Sequence, residues 1–247
     1  MKPTLHGRTA LVTGANGGLG REFVRQALDR GAARVYATAR NPREWEDDRV
    51  VPLVLDVADA PAARIAAESA GDVDLVINNA GVALAEDVSL LRGSDDALRV
   101  TMETNFFGAL RVAQAFAPVL ARNGGGAVIN VLSAASWISV PTAYAASKAA
   151  LWSATNSLRI ELEEQGTHVV GVHLFLAETP MTRGLDLPMI EAGSVVSQTY
   201  DALAEGAWEV ITDDTTRRLK AQLGGDLREM YATPFLPEAT GRASERA

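Results

Sequence analysis

Residues 9–20 read TALVTGANGGLG, a short apolar run that leads directly into a glycine-rich turn. The apolar part predicts a buried strand, and the pattern after the turn predicts a helix. Gly14, Gly18 and Gly20 therefore fall between a strand and the helix that follows it. Glycines there permit a tight turn, and a helix N-terminus offers free N–H groups to an anion. The stretch favours a dinucleotide-binding α/β fold over an ordinary glycine-rich turn.

The same alternation of apolar runs and helical patterns continues along the chain. Strands are predicted at 9–14, 34–39, 50–56, 73–79, 127–133, 168–175 and 208–212, and helices at 19–30, 59–70, 95–122, 142–164, 194–206 and 215–223. The strand runs are too uniformly apolar for a sheet with one wet face, so we expect a parallel sheet covered on both faces. The fold class is α/β, a single-domain Rossmann fold with a doubly wound parallel sheet.

We expect one domain over residues 1–233, followed by a frayed tail at 234–247. Within the domain, the segment at about 180–206 is predicted to cover the substrate. Leu185, Leu187, Pro188 and Met189 could cover an apolar molecule, and the alternative is a simple connector.

The composition excludes several classes of function. The 247 residues carry a formal net charge of −8 and no basic stripe, which argues against a nucleic-acid partner. The absence of cysteine excludes disulfides, thiolate catalysis and cysteine-based metal sites. His6, His168 and His173 have no metal-ligand spacing, so no metal is expected. No stretch approaches a signal peptide or a membrane span, so we expect a cytoplasmic protein without a membrane partner.

A second motif lies at residues 143–151, which read AYAASKAAL. The alanine-rich run predicts a helix, and Tyr144 and Lys148 are four residues apart, so both side chains leave from the same face. Such a pair is either an ordinary contact between neighbours or an arrangement in which the ammonium changes the acidity of the phenol.

Taken together and in this order, the motifs resemble those of the short-chain dehydrogenase/reductase family. Residues 13–20 match its TGxxxGxG, residues 78–81 its NNAG, and Tyr144 and Lys148 its YxxxK pair. The resemblance covers roughly residues 7–181. It implies an oxidoreductase that interconverts a ketone or aldehyde and an alcohol with hydride carried by a nicotinamide cofactor.

The resemblance also implies roles for particular residues. The catalytic set is Asn105, Ser133, Tyr144 and Lys148. Lys148 would lower the pKa of Tyr144, whose phenol would exchange a proton with the substrate oxygen. Ser133 would hydrogen-bond that oxygen, and Asn105 would hold a water against the lysine. Ser136 competes for the serine role, with a poorer interval to the tyrosine.

The residues implied for cofactor binding come from the glycine loop, the strand ends and the catalytic helix. They are Gly14, Asn16, Gly17, Gly18, Leu19, Gly20, Arg40, Asp56, Val57, Asn79, Ala80, Gly81, Tyr144, Lys148 and Thr179. Arg40 follows the second strand, where an enzyme that prefers NAD usually carries a carboxylate. Because a guanidinium can bind a phosphate through two hydrogen bonds, NADP(H) is predicted over NAD(H). Arg43 could share this role, and a solvated surface arginine is the alternative reading.

The chain departs from the family pattern at three places. The interval from Ser133 to Tyr144 is 11 residues, slightly shorter than usual. Leu174 and Phe175 replace the usual Pro-Gly pair after the sixth strand, so two bulky side chains stand where that pair normally lets the backbone lie flat against the nicotinamide. The last strand lacks the usual glycine-rich ending. A homodimer or homotetramer is still expected, with the two long predicted helices as its faces.

Ser133, Trp137, Tyr144 and Phe175 are predicted to meet the substrate, a small carbonyl or alcohol of apolar character. For Trp137, ordinary core packing is an equally good interpretation. Two other functions stay open at this point. One is an NADP(H)-binding sensor or scaffold without turnover, and the other is an epimerase or dehydratase of the same fold.

Overall fold

The computed structural model describes residues 5–84, 89–138 and 140–232. Within these residues, seven strands form one sheet in the order β3-β2-β1-β4-β5-β6-β7. The strands are β1 (Thr9–Thr13), β2 (Arg34–Ala39), β3 (Val50–Val54), β4 (Leu75–Asn78), β5 (Gly126–Val131), β6 (Thr167–His173) and β7 (Glu209–Ile211). Every neighbouring pair is parallel. The strand order reverses between β1 and β4, which places a ligand crevice at the carboxyl ends of these strands.

Helices cover both faces of the sheet. They are α1 (Gly18–Asp29), α2 (Ala60–Ser69), α3 (Asp95–Met102), α4 (Ala109–Arg122), α5 (Ala143–Glu161), α6 (Ala192–Glu205), α7 (Asp214–Gln222) and α8 (Leu227–Ala232). On one face, Phe23 of α1 and Tyr200 of α6 belong to the core against the sheet, and on the other face Phe116 of α4 does so. The predicted fold class, a doubly wound parallel sheet, is therefore confirmed.

Two helical predictions differ from the structure. The predicted helix at 95–122 is interrupted by a π-helical turn at Glu103–Gly108, which contains Asn105. Such turns often mark functional sites, because the wider turn redirects the side chains it carries. The short helix α8 was not predicted, and the predicted tail at 234–247 lies outside the described residues.

Strand predictions are longer than the observed strands at several ends. The run predicted at 127–133 stops as a strand at Val131, and Ser133 already caps a 3₁₀ turn at Ala134–Ser136. Across the described part of the chain, no helix combines the length and the hydropathy that crossing a membrane requires.

Candidate active site

A cavity of about 830 Å³ opens at the carboxyl ends of the central strands. Residues from the glycine loop line one part of it, and the end of β5 and the start of α5 line another. The predicted site residues that line it are Gly14, Gly17, Gly18, Leu19, Arg40, Asn79, Ala80, Gly81, Ser133, Tyr144, Lys148, Phe175 and Thr179. The fold thus brings residues from distant parts of the sequence to one crevice.

The glycine loop has a geometry that side chains would prevent. Gly14 and Gly18 have positive φ angles of 66° and 53°, a region that favours glycine. A Cβ atom on Gly20 would lie 2.1 Å from the carbonyl oxygen of Gly14, so the loop can close only without it. Asn79 braces the same turn, because its Nδ2 donates to the carbonyls of Thr13 and Gly14 at 2.9 and 3.2 Å. The exposed backbone ahead of α1 suits the pyrophosphate of a dinucleotide.

Arg40 lines the cavity beyond the end of β2, and no Asp or Glu of the described residues does so. Arg43 is engaged elsewhere: its guanidinium lies 4.9 Å from the centre of the Trp45 ring, and its Nε donates to the Glu44 carbonyl. Asn16 does not line the cavity. Its side chain joins the glycine loop to the turn after β2, donating to Asn41 and accepting from the main chain of Arg43.

Three other residues predicted to bind the cofactor do not line the cavity either. Gly20 packs against the carbonyl of Gly14 within the loop. Asp56 accepts a hydrogen bond from the main chain of Ala58 at 3.0 Å, which closes a turn after β3. Val57 is buried, and a Cβ atom on Gly108 would meet its side chain at 2.8 Å. The structure gives Val57 a packing role against the π-helical turn.

Ser133, Tyr144 and Lys148 converge at the end of β5. The Ser133 and Tyr144 side chains are hydrogen-bonded, and the Nζ atom of Lys148 donates to the carbonyl of Val131 at 2.8 Å. The ammonium of Lys148 is buried, with the residue only 5% exposed. Thr142 caps the start of α5 through a hydrogen bond from the main chain of Ala145, which fixes the first turn that carries Tyr144.

Burial is the main influence on the pKa values of Tyr144 and Lys148. It raises the pKa of the Tyr144 phenol above its ordinary value, and the hydrogen bond from Ser133 offsets part of that rise. Burial lowers the pKa of Lys148 to about 8. Lys148 was expected to lower the pKa of Tyr144, but in the protein without cofactor the net shift is upward, because desolvation of the phenolate outweighs the other influences.

Asn105 lies outside the cavity lining and is fully buried in the π-helical turn. Its Oδ1 accepts from the main chain of Val82 at 2.8 Å, and its Nδ2 donates to the Val82 carbonyl and to the Ser147 hydroxyl. Since Ser147 in turn donates to the Tyr144 carbonyl, Asn105 connects the segment after β4 to α5.

Comparison with known proteins decides the family. A family model described as short chain dehydrogenase matches residues 8–188. The chain belongs to this family. The resemblance seen in the motifs is thereby confirmed, and the protein is an oxidoreductase of the short-chain dehydrogenase family.

Several known proteins are similar to this chain at about the same level of sequence identity. L-xylulose reductase of Cavia porcellus is 35% identical over 187 residues, which cover 72% of this chain and 75% of the relative. D-erythrulose reductase of Gallus gallus is 34% identical over 192 residues, covering 74% and 76%. A solved short chain dehydrogenase from Burkholderia cenocepacia J2315, in complex with NADP, has a TM-score of 0.86 at 35% identity and covers 93% of this chain and 98% of its own.

In this member of the family, Trp137 does not form a wall of the cavity. Its ring stacks on His173 with the centroids 3.9 Å apart and meets Trp152 edge-on at 6.3 Å. Because the 3₁₀ turn at Ala134–Ser136 directs this side chain into the core, it is only 7% exposed. The prediction of Trp137 as a substrate contact is corrected to core packing. Ser136 is buried in the same turn and does not line the cavity, so the structure favours Ser133.

Leu174 and Phe175, in place of the family's Pro-Gly, both line the cavity. The main chain passes this point without a positive φ angle, since every described non-glycine residue has a negative φ. The main-chain N–H of Phe175 donates to Asp213 at 2.9 Å, which ties the turn to the N-terminus of α7. Of the proposed covering segment, Leu185 and Leu187 line the cavity, whereas Pro188 and Met189 line a smaller cavity of about 400 Å³ nearby.

Sequence reasoning missed several apolar residues that line the cavity and two polar residues behind it. Ile138, Val140, Leu176 and Met181 belong to the lining. They lie in irregular segments or, for Met181, in a short 3₁₀ turn at Pro180–Thr182, where no hydrophobic period indicates which way a side chain points. Asp213 and His173 contact the cavity walls from behind, through Phe175 and Ser133, which are distant in sequence, so no local spacing indicated these contacts.

Proposed function

We propose that this chain is an NADP(H)-dependent oxidoreductase that reduces a ketone or aldehyde to an alcohol, or runs the reverse reaction. One observation carries the proposal: a single cavity is lined by the glycine loop, by Arg40, and by the hydrogen-bonded pair of Ser133 and Tyr144 with Lys148 beside it. A nicotinamide cofactor supplies or accepts the hydride when bound. The chain's own residues bind, orient and move the proton.

Tyr144 is the proposed general acid. Because burial raises its pKa, the phenol is protonated at neutral pH and can donate to a carbonyl oxygen that gains negative charge. Ser133, already hydrogen-bonded to that phenol, can donate to the same oxygen and stabilise the developing charge. In the oxidation direction the phenol must lose its proton first. The nearby ammonium of Lys148 favours the phenolate in that state.

Arg40 supports the preference for NADP(H). It is the cation that lines the cavity where the 2′-position of the adenosine ribose is expected, and no described carboxylate lines the cavity beside it. The Burkholderia relative in complex with NADP, at 35% identity, supports the same choice. Asn16 acts indirectly, by fixing the turn that follows Arg40.

An apolar carbonyl is the proposed substrate. The walls around Ser133 and Tyr144 are formed by apolar side chains, among them Ile138, Val140, Phe175, Leu185 and Leu187. The relatives named above are called reductases of xylulose and erythrulose, which are hydroxyl-rich sugars. Hydroxyl groups buried against these walls would lose hydrogen bonds to water without replacement. We therefore expect alkyl or aryl ketones and aldehydes to react better than short sugars.

Self-association into a homodimer or homotetramer, through the stretch from α3 to α4 and through α5, is part of the proposal. On the stretch from α3 to α4, Val100 and Phe107 are large apolar residues that are 48% and 44% exposed. A second copy of the chain could cover them. Sedimentation of the wild type beside a Phe107→Glu variant measures this, and an unchanged mass would contradict it.

The function is tested by following NADPH oxidation at the reduced-nicotinamide absorbance band over apolar ketones, aldehydes and quinones, with erythrulose and xylulose beside them. We expect turnover that Tyr144→Phe lowers by about 100- to 10,000-fold, the usual range for a general acid, while NADPH affinity stays near that of the wild type. Turnover that survives in Tyr144→Phe would place the acid elsewhere. Tight NADPH binding without turnover of any carbonyl would favour a sensor or a non-redox enzyme instead.

A further inference from the structure

The buried histidine at the end of β6 contacts the candidate active site from behind. His173 is fully buried, and its Nδ1 lies 3.2 Å from the main-chain carbonyl oxygen of Ser133. A carbonyl oxygen only accepts hydrogen bonds, so Nδ1 must carry the proton. In the neutral ring, Nε2 is then the unprotonated nitrogen. It has no hydrogen-bond partner among the described residues.

We propose that His173 is a positioning residue, whose Nδ1–H group holds the peptide of Ser133 and so sets the direction in which the Ser133 hydroxyl meets Tyr144. The Ser133 carbonyl accepts one further bond, from the main chain of Ser136 at 3.0 Å, which belongs to the 3₁₀ turn. The histidine adds a link from that peptide to the end of β6. This inference rests on the role proposed above for Ser133.

The imidazole is held in one orientation by its neighbours. Trp137 stacks on it with an interplanar angle of 18°. Trp137 is packed in turn against Trp152 and lies under the ammonium of Lys220, which is 5.7 Å from its ring centre. The tryptophan that the sequence suggested as a pocket wall therefore fixes the ring behind the pocket.

The charges around His173 favour its neutral state. Glu209 on β7 places Oε1 3.5 Å from Nε2, but its other oxygen is paired with Lys220 of α7. That pairing neutralises the Glu209 carboxylate, which would otherwise favour an imidazolium. Burial lowers the pKa of His173 to about 3, and the cations Lys220, Arg159 and Lys148 near the ring add to that effect. With Nδ1 as donor, the neutral ring can serve Ser133 over the whole working pH range.

This arrangement gives the C-terminal elements a connection to catalysis. β7 supplies Glu209 and α7 supplies Lys220, and both lie behind the serine rather than in the cavity. A change at Glu209 would alter the charge that faces His173, and a change at Lys220 would also alter its contact with the Trp137 ring.

The first test uses the whole wild-type chain labelled with ¹⁵N-histidine, with His173→Asn identifying the His173 signals. We expect a neutral ring protonated at Nδ1 that does not titrate between pH 5 and pH 8. A ring protonated at Nε2 alone could not donate to the Ser133 carbonyl, and that spectrum of the wild type would overturn the proposal.

The second test compares His173→Leu with His173→Asn. Leucine keeps much of the volume and removes the donor, whereas the asparagine amide can donate from a position close to that of Nδ1. We expect His173→Leu to lower kcat by up to about 100-fold, the cost of misplacing a reacting group by about 1 Å, with little change in KM for NADPH. His173→Asn should recover most of that loss. Equal losses in both variants, in proportion to their fall in thermal stability, would reduce His173 to a packing role.

A readout independent of turnover is the ionisation of Tyr144, followed by phenolate absorbance and isolated by subtraction of Tyr144→Phe. Because the Ser133 bond lowers the pKa of Tyr144, a displaced Ser133 should raise that pKa in His173→Leu and not in His173→Asn. An unchanged pKa in a folded His173→Leu would overturn the inference. If no carbonyl is reduced by the wild type, the proposed function fails, and this titration with the histidine spectrum still decides the role of His173.

Discussion

The Nζ atom of Lys148 lies 5.7 Å from the centre of the Tyr144 ring, on the same turn of α5. It donates to the carbonyl of Val131, so the ammonium is oriented by the end of β5 as well as by its own helix. Both groups are poorly hydrated. The energetic cost of this burial falls on the charged form of each, which is why the pKa of the phenol rises while that of the ammonium falls.

The pKa of Lys148 predicts how stability depends on pH. It is lowered to about 8 in the folded protein, against about 10.4 in an unfolded chain. The unfolded chain therefore binds more protons between these values, and folding is penalised below pH 8 and relieved as the pH rises towards 10.4. Between pH 7 and pH 10, the free energy of unfolding of the wild type should rise relative to Lys148→Met by on the order of 2 kcal/mol.

Denaturant unfolding at both pH values measures this difference. Methionine is a suitable replacement because it keeps the length and apolar stem of the side chain and carries no titrating group. The comparison is made between pH 7 and pH 10, so any loss of packing in Lys148→Met that does not depend on pH cancels. A stability difference that stays constant from pH 7 to pH 10 would mean that Lys148 has an ordinary pKa.

Ser133 and Ser136 provide a matched pair of variants on one 3₁₀ turn. Both are buried, but only Ser133 lines the cavity and bonds to Tyr144. Ser133→Ala should lower kcat by about 100- to 1,000-fold, the usual effect of removing one donor from a developing oxyanion. It should also raise the pKa of Tyr144, so the pH limb of alcohol oxidation moves to higher pH.

Ser136→Ala should leave kcat and that pH limb unchanged. The Ser136 hydroxyl is buried without a hydrogen-bond partner among the described residues, so its removal should leave stability equal or slightly higher. The pH profiles of alcohol oxidation by the two variants show which of the two serines acts on the substrate oxygen. A larger loss of activity in Ser136→Ala would reverse the assignment of the serine.

Particular residues show how far the sequence could predict this molecule. The strands and the glycine loop were predictable, because uniformly apolar runs and glycine spacing are local properties of the chain. The π-helical turn around Asn105 was not, since the residues of 95–122 read as one continuous helix. Trp137 was ambiguous for a different reason. Its direction depends on a 3₁₀ turn and on stacking against His173, 36 positions away, and no local pattern indicates either.

Gly20 is predicted to tolerate no side chain. In Gly20→Ala, the new Cβ would meet the Gly14 carbonyl oxygen at 2.1 Å and the Asn79 amide at 2.8 Å. A main-chain oxygen in a braced turn cannot move aside freely, so we expect a loss of about 1–3 kcal/mol in unfolding free energy together with weaker NADPH binding. Gly17→Ala is the control in the same loop, because a Cβ there meets nothing within 4 Å. Thermal unfolding should separate the two variants, and equal stability would contradict the close approach.

Variants of Arg40 and Arg43 distinguish a specific contact with the NADPH phosphate from a general effect of surface charge. Both lie in the turn after β2, yet only Arg40 lines the cavity, while Arg43 stacks over Trp45. A hydrogen bond to a charged group contributes about 1.5–3 kcal/mol, so Arg40→Glu should raise the KM for NADPH by roughly 10- to 100-fold and that for NADH far less. Arg43→Glu changes the net charge by the same amount and should alter the ratio of the two KM values little. Steady-state kinetics with both cofactors measures this ratio.

Two outcomes would contradict the assignment. Equal increases in the KM values for NADPH and NADH in Arg40→Glu would show that Arg40 is a solvated surface cation. A change in the ratio of the two KM values in Arg43→Glu but not in Arg40→Glu would assign the phosphate contact to Arg43.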